Sequence, residues 1–63
     1  MSRFDELFKA EDDAQARFLE TAKKLKQAKE NGNAPAIKEH NESLKNIKKE
    51  KAEIQRKIKA ATN

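Results

Sequence analysis

One short segment near the middle of the chain constrains its fold more than any other feature. The only glycine and the only proline of the 63 residues both lie within Asn31-Gly32-Asn33-Ala34-Pro35. In a helix interior glycine costs about 1 kcal/mol and proline about 3 kcal/mol, so one continuous helix through this segment is disfavoured. The segment predicts a turn over 31–35, in which Gly32 takes the left-handed conformation past one helix end and Asn33 caps the next helix.

The stretches on either side of this turn are nearly equal in length and rich in strong helix formers. Ala, Glu, Lys, Gln and Leu dominate both of them, and these residues have high intrinsic helix propensity. At the start of the chain, Ser2 followed three residues later by Asp5 is a variant of the capping box. We therefore predict an all-α fold, with helix 1 over about 2–31 and helix 2 over about 34–62, folded into one antiparallel hairpin domain over 1–63.

Both stretches carry apolar residues at the alternating spacing of three and four that marks a heptad seam. Twelve of the sixteen seam positions are apolar, which random placement would rarely give in a chain that is 35% hydrophobic. We expect the two seams to pack against each other. They comprise Phe4, Leu7, Glu11, Ala14, Phe18, Thr21, Leu25 and Ala28 in helix 1, and Ile37, His40, Leu44, Ile47, Lys51, Ile54, Ile58 and Ala61 in helix 2.

Folding the hairpin at the turn brings every seam residue of one helix opposite a seam residue of the other. The sum of the two residue numbers is the same for every opposing pair, so one register satisfies both seams. The polar exceptions then fall in neighbouring layers. Because an unpaired buried charge is costly, we predict that Glu11 approaches Lys51. His40 is predicted to pack against Leu25 and to bond to Thr21.

Two broad faces remain once the seam is fixed, and one of them carries the whole net charge of the chain. Heptad positions e and b of both helices share this face, which we call the basic face. Its six lysines and two aspartates give a charge of +4, equal to the formal net charge of the protein. It comprises Asp5, Phe8, Asp12, Gln15, Leu19, Ala22, Lys26 and Lys29 from helix 1, and Lys38, Asn41, Lys45, Lys48, Ala52, Gln55, Lys59 and Thr62 from helix 2.

The opposite face, formed by positions g and c, is polar and acidic, and we call it the acidic face. Arg17 is placed there to meet Glu50 across the hairpin, as an exposed ion pair that contributes little to stability. Four basic residues against six acidic ones make the face negative. These charged residues are Arg3, Arg17, Lys24 and Lys57 against Glu6, Asp13, Glu20, Glu39, Glu50 and Glu53.

The residue inventory offers little for catalysis or for binding cofactors and metals. The chain has no cysteine, tyrosine or tryptophan and one histidine, so disulfides and thiolate metal sites are excluded. Ser2 and Ser43 have no base at a plausible spacing, and the acidic run Glu11-Asp12-Asp13 points in three directions on a helix. We expect no enzymatic activity, no catalytic residue, no cofactor, no bound metal and no small-molecule substrate.

A membrane location is also disfavoured. No apolar run approaches the roughly 20 residues that a membrane-spanning helix needs, and no apolar segment typical of a signal peptide follows the start. Phe8 and Leu19 are three helical turns apart, which makes too thin an apolar strip for binding at a membrane surface. We therefore expect a cytoplasmic protein with no membrane partner.

With catalysis disfavoured, the asymmetry between the two faces is the most informative functional feature. Lysines can steer association with an acidic protein surface, while buried Phe or Leu side chains supply most of the affinity. We predict a small regulator, adaptor or inhibitor that binds an acidic protein partner, or a second copy of itself, through the basic face. The expected contact residues are Phe8, Gln15, Leu19, Ala22, Lys26, Lys38, Asn41, Lys45, Lys48 and Gln55.

Self-association is expected because two packed helices cover a heptad seam on only two sides. A lone hairpin of this size is of marginal stability. We predict a homodimer that forms a four-helix bundle. Phe4, Phe8, Phe18 and Leu19 should be the residues most buried by the second copy.

Nucleic acid is the alternative partner. The segments Lys23-Lys24-Leu25-Lys26 and Lys48-Lys49-Glu50-Lys51 offer phosphate contacts, although neighbouring glutamates weaken their field and no aromatic residue lies among them for base stacking. Two helices of about 28 residues are too long for a helix-turn-helix motif. In length and architecture the chain resembles the Rop-type RNA-binding hairpins, which dimerise into four-helix bundles. That resemblance implies recognition of RNA by its shape.

A third interpretation assigns the chain no partner. Lysine is a common solvating residue on helices, and two scattered apolar residues are normal on a protein surface. A purely architectural or engineered hairpin could therefore carry this charge bias by chance.

Overall fold

The computed structural model describes the backbone of residues 3–62 and the side chains of residues 4–61. It contains two helices, α1 (Arg3–Glu30) and α2 (Ala34–Thr62), which pack against each other as an antiparallel hairpin. The predicted all-α hairpin is confirmed. The predicted cap at Ser2 lies outside the described residues.

The turn between the helices closes α1 and opens α2 within three residues. Gly32 has a φ of 66°, the left-handed conformation predicted for it. The N–H of Asn33 donates to the carbonyl of Ala28 at 3.0 Å and the N–H of Gly32 to that of Lys29 at 3.2 Å, which is the Schellman arrangement of a helix C-terminus. The side chain of Asn33 accepts from the N–H of Ala36 at 3.3 Å, so Asn33 also caps α2 as predicted.

The seam between the helices is a narrow core. Four residues in it are buried, namely Ala14, Ala28, Ile47 and Ile54. The other seam residues are half-buried apart from the exposed Ala61, and within residues 4–61 no large side chain is fully enclosed. A core of this kind leaves much of its apolar surface in contact with water, because two helices cannot surround their own seam.

The shape of the molecule shows the same shortage of enclosed volume. The hairpin measures 46 × 16 × 11 Å, and its radius of gyration is 14.5 Å, compared with about 11 Å for a compact domain of this length. Its accessible surface is 5167 Å², whereas a compact folded chain of this mass exposes about 4100 Å². The hairpin therefore exposes roughly 1000 Å² more than a compact domain of its size would.

One cross-hairpin contact supports the predicted register. Arg17 Nη2 donates to Glu50 Oε1 at 2.7 Å, and both side chains are 47% exposed. The two residues lie at facing g positions, as predicted. The acidic faces of the two helices are therefore on the same side of the hairpin.

The polar seam residues do not pair as predicted. Lys51 donates a hydrogen bond to Gln15 and lies over the ring of Phe18, and it makes no ion pair with Glu11 in the described part of the chain. A long lysine side chain at a half-buried position can bend out towards the basic face, where its ammonium group keeps contact with water.

The second polar layer also differs from its prediction. Among the residues that the structure describes, Thr21 and His40 form no hydrogen bond to each other. Both are half-buried. Since water still reaches them, nothing obliges the two side chains to satisfy each other.

Candidate protein-binding face

Within the described residues, the basic face presents the two large apolar side chains that lie outside the seam. Phe8 is 47% exposed and Leu19 is 54% exposed. Both belong to α1, on the same side of the hairpin as the lysines of the face. Among the predicted contact residues Ala22 is half-buried, and all the others are exposed.

Phe8 does not stand alone on this face. Its ring stacks on that of Phe4 one helical turn earlier, with centroids 6.2 Å apart and an angle of 25° between the ring planes. Phe4 is a half-buried seam residue. The two rings therefore form one continuous apolar surface from the seam out to the basic face.

A shallow groove crosses the face next to Leu19, and it includes residues that sequence reasoning assigned to the seam. Lys51 lies 5.1 Å above the centroid of the Phe18 ring and donates to the Gln15 side chain. The heptad position of Phe18 and Lys51, directly beside position e, could have indicated that they border this face. Phe18, Lys48, Lys51, Ala52 and Gln55 line the groove.

The basic face divides into two halves of different character. We call the half nearer the chain termini the apolar half, and it comprises Asp5, Phe8, Asp12, Gln15, Leu19, Lys48, Ala52, Gln55 and Lys59. We call the half nearer the turn the lysine half, and it comprises Ala22, Lys26, Lys29, Lys38, Asn41 and Lys45. Two aspartates balance two lysines in the apolar half, while four lysines and no acid make up the charge of the lysine half. The whole net charge of the face is thus concentrated at one end.

The acidic face has a different surface. The hydrogen bond from Arg17 lowers the pKa of the Glu50 carboxyl below its usual value, and it raises the pKa of Arg17. A groove near the termini is lined by Glu6, Leu7, Lys57, Ala60 and Ala61. Leu7 is its only large apolar residue, and it is already half-buried in the seam. Among the residues that the structure describes, this face therefore has no exposed apolar anchor comparable to Phe8 or Leu19.

Two further features are absent from the described residues. No cluster of three His, Cys, Asp or Glu side chains within them could hold a metal ion. Neither α1 nor α2, over the residues described, is apolar enough along its length to cross a membrane.

The chain was also compared with known proteins. No protein-family model matches it, and no match was found among the curated proteins or the solved structures.

Proposed function

We propose that the chain is a non-enzymatic protein-interaction module, a regulator, adaptor or inhibitor, that binds an acidic protein partner through its basic face. The observation that carries this proposal is the exposure of Phe8 and Leu19 on the same face as the lysines. Large side chains that enter a partner's pocket supply most of the binding energy at protein interfaces. A solvated surface with no partner gains nothing from exposing them.

The lysine half supports an acidic partner in particular. Within the described residues, Lys26, Lys29, Lys38 and Lys45 are exposed and make no ion pair with an acid of the chain. Such a concentration of one charge attracts a partner of the opposite charge and raises its association rate. On this proposal the lysines accelerate the encounter, and Phe8 and Leu19 hold the complex together.

Self-association into a four-helix bundle is a second use proposed for the same face. The incompletely enclosed seam and the excess surface of the hairpin favour it, because a second layer of helices would cover both. Phe4, Phe8, Phe18 and Leu19 border the surface that such a layer would cover. The bundle would resemble the Rop-type hairpins in architecture.

RNA binding is the alternative function, and one observation favours it. The lysine half is a purely basic surface, which is what phosphate contacts need. No aromatic side chain lies in this half for base stacking. RNA would then be held through its backbone and shape, and Phe8 and Leu19 would be dispensable.

A binding experiment with two labelled probes separates these functions. The probes are a synthetic amphipathic helical peptide with an all-glutamate polar face and a short double-stranded RNA, each followed by fluorescence anisotropy at low and high salt. We expect Phe8→Ala/Leu19→Ala to weaken binding of the peptide by at least about 30-fold, as loss of interface anchors does. Far-ultraviolet circular dichroism checks that the variant is still helical.

Charge variants complete the test. Lys38→Glu/Lys45→Glu should slow association with the peptide and flatten its salt dependence. The matched control, Lys23→Glu/Lys49→Glu, makes the same charge change on the outer edges of the hairpin and should have a smaller effect.

Two results would contradict the proposal. If reversing the charges of Glu6, Asp13 and Glu20 weakened binding more than the basic-face variants do, the assignment of the binding face would be wrong. If the RNA bound with a steep salt dependence and the Phe8→Ala/Leu19→Ala variant bound it normally, RNA binding would replace the proposed function.

A further inference from the structure

We infer that the apolar half of the basic face binds the apolar half of a second copy of this chain, with the two copies antiparallel and related by a two-fold axis close to Asp12 and Gln15. This inference rests on the proposed function, since it requires the face to bind protein, and it names the occupant of one half of that face. Charge, side-chain register and surface area each favour this arrangement.

Charge decides which part of the face can meet itself. Two complete basic faces would bring like charges together over their whole length. In the apolar half, however, Asp5 and Asp12 balance Lys48 and Lys59. The charged seam residues beneath this half, Glu11 and Lys51, also cancel. Two apolar halves can therefore meet without net repulsion, whereas two lysine halves cannot.

The register of α1 against α1 of the second copy follows from the heptad positions. In the antiparallel hairpin, each residue at position a of one helix faces a residue at position d of the other helix, and each d residue faces an a residue. Applying this rule to positions e and b places Phe8 opposite Leu19 of the second copy, and Leu19 opposite Phe8. One arrangement thus covers both exposed apolar side chains of each copy.

The same register places a polar pair beside the two-fold axis. Gln15 lies opposite Asp12 of the second copy, and the symmetry repeats this pair. The side-chain oxygen of Gln15 already accepts a hydrogen bond from Lys51, which leaves its amide N–H groups to donate. The exposed carboxylate of Asp12 is a suitable acceptor. The polar atoms near the axis therefore have partners within the interface.

The area available fits a small but specific dimer. The hairpin exposes roughly 1000 Å² more than a compact chain of its mass, and a standard interface covers about 800 Å² on each partner. The overlap along α1 runs over about 27 Å, from residue 5 to residue 22 at a rise of 1.5 Å per residue. The turn ends project beyond the overlap in opposite directions, so Lys26, Lys29 and Lys38 of the two copies stay apart and exposed.

This arrangement has a consequence for binding to other proteins. In the dimer Phe8 and Leu19 are covered by the second copy, whereas an acidic partner would need the same two anchors. Dimerisation and binding of that partner through the apolar half therefore exclude each other. The lysine half remains open in the dimer and can make the first contact with an acidic surface.

Sedimentation of the purified chain over a range of concentrations tests the oligomeric state. We expect a monomer–dimer equilibrium. Phe8→Ala/Leu19→Ala should weaken dimerisation by at least about 100-fold, since it truncates all four large exposed apolar side chains in the interface. Lys29→Glu/Lys38→Glu should change it by less than about threefold, because charges outside the interface affect dimerisation only through long-range electrostatics that salt screens.

Disulfide trapping tests the register, since the natural chain has no cysteine. An equimolar mixture of Asp12→Cys and Gln15→Cys chains should form a covalent heterodimer rapidly under mild oxidation. The matched control is a mixture of Lys26→Cys and Lys29→Cys chains, which have the same spacing on the same helix face. It should react at least about tenfold more slowly, because these positions lie far apart in the dimer.

The outcomes distinguish this inference from the proposed function. A chain that sediments as a monomer at every concentration, or that links faster in the lysine-half control, overturns the inference. In either case weaker binding of the acidic peptide by Phe8→Ala/Leu19→Ala would still uphold the proposed function. If that variant loses the dimer but binds the peptide normally, the inference stands, and the assignment of Phe8 and Leu19 as anchors for an acidic partner is wrong.

Discussion

The two halves of the basic face differ in what lies beneath them as well as in what they expose. Ile47 and Ile54, the largest buried side chains among the described residues, lie in the seam under the apolar half. Under the lysine half, Leu25, His40 and Leu44 are only half-buried. The two large buried side chains therefore lie under the apolar half, although Leu7 and Ile58 near Phe8 are half-buried as well and the small Ala28 near the turn is buried.

This difference shows that apolar exposure here is not a sign of poor packing. If Phe8 and Leu19 were exposed because the hairpin packs badly, they would lie over its weakest layers. Instead, the two large buried side chains, Ile47 and Ile54, lie in layers next to Leu19 and Phe8. A binding surface benefits from a rigid support, because less conformational entropy is then lost at the surface when a partner binds.

The largest expected effect tests the difference in the core. Ile54→Ala should lower the free energy of unfolding by about 2–4 kcal/mol, since it opens a cavity at a buried position. Leu25→Ala removes a similar side chain from a half-buried position and should cost clearly less. Urea titration followed by circular dichroism measures both. Equal losses, or a greater loss for Leu25→Ala, would show that the core is not concentrated under the apolar half.

A smaller effect is expected at the turn, next to the lysine half. Asn33→Ala removes the side-chain acceptor of the Ala36 N–H and should destabilise the hairpin by about 1 kcal/mol. Amide hydrogen exchange should then accelerate most at the turn end of both helices. Asn31→Ala is the control, because the Asn31 side chain makes no hydrogen bond within the described residues. Equally accelerated exchange throughout the apolar half would contradict the expectation that the effect of Asn33→Ala is greatest at the turn end.

The smallest effect concerns the acidic face, which we expect to contribute to neither half. The pKa of Glu50 is lowered in the folded state by its bond to Arg17. The resulting stabilisation is fully present above the unfolded pKa of about 4.3, and it is lost as the pH falls through the lower folded value. Because the pair is exposed, the effect should be slight. Glu50→Gln should remove this pH dependence of the free energy of unfolding, while the control Glu53→Gln should change it less. A large loss of stability in Glu50→Gln would mean that the acidic face is structurally important.

The fold was predictable because strong local signals agreed with one another. Gly32 and Asn33 define the turn by backbone chemistry that few other residues satisfy. The seam positions then fix which side of each helix faces inward. Arg17 and Glu50 could be paired from the sequence because both lie at g positions and their groups reach each other directly.

The side-chain partners of the polar seam residues were less predictable. Lys51 lies in the expected layer, but its flexible side chain can either cross the seam or bend outwards. Contacts with Phe18 and Gln15 stabilise the outward conformation, and neither contact follows from heptad spacing. Backbone position is thus set by the periodic pattern, whereas the end of a long side chain is set by its three-dimensional surroundings.

The candidate site was predictable in place but not in its internal division. Heptad positions put Phe8, Leu19 and the lysines on one face. The exposures of 47% for Phe8 and 54% for Leu19 needed the structure, because neighbouring side chains decide how much of each ring or methyl group is covered. The Phe4–Phe8 stack and the groove beside Ala52 likewise depend on packing between side chains.

The most direct test of the division between the two halves is a dilution series of the chain followed by amide chemical shifts in nuclear magnetic resonance. We expect concentration-dependent shifts at residues 5–22 of α1 and 43–60 of α2, centred on Phe8, Gln15 and Leu19, because the second copy covers the apolar half. Residues 26–41, which contain the turn and most of the lysine half, should keep the same shifts at every concentration. Shifts concentrated at residues 26–41, or on the acidic face around Arg17 and Glu50, would contradict the account.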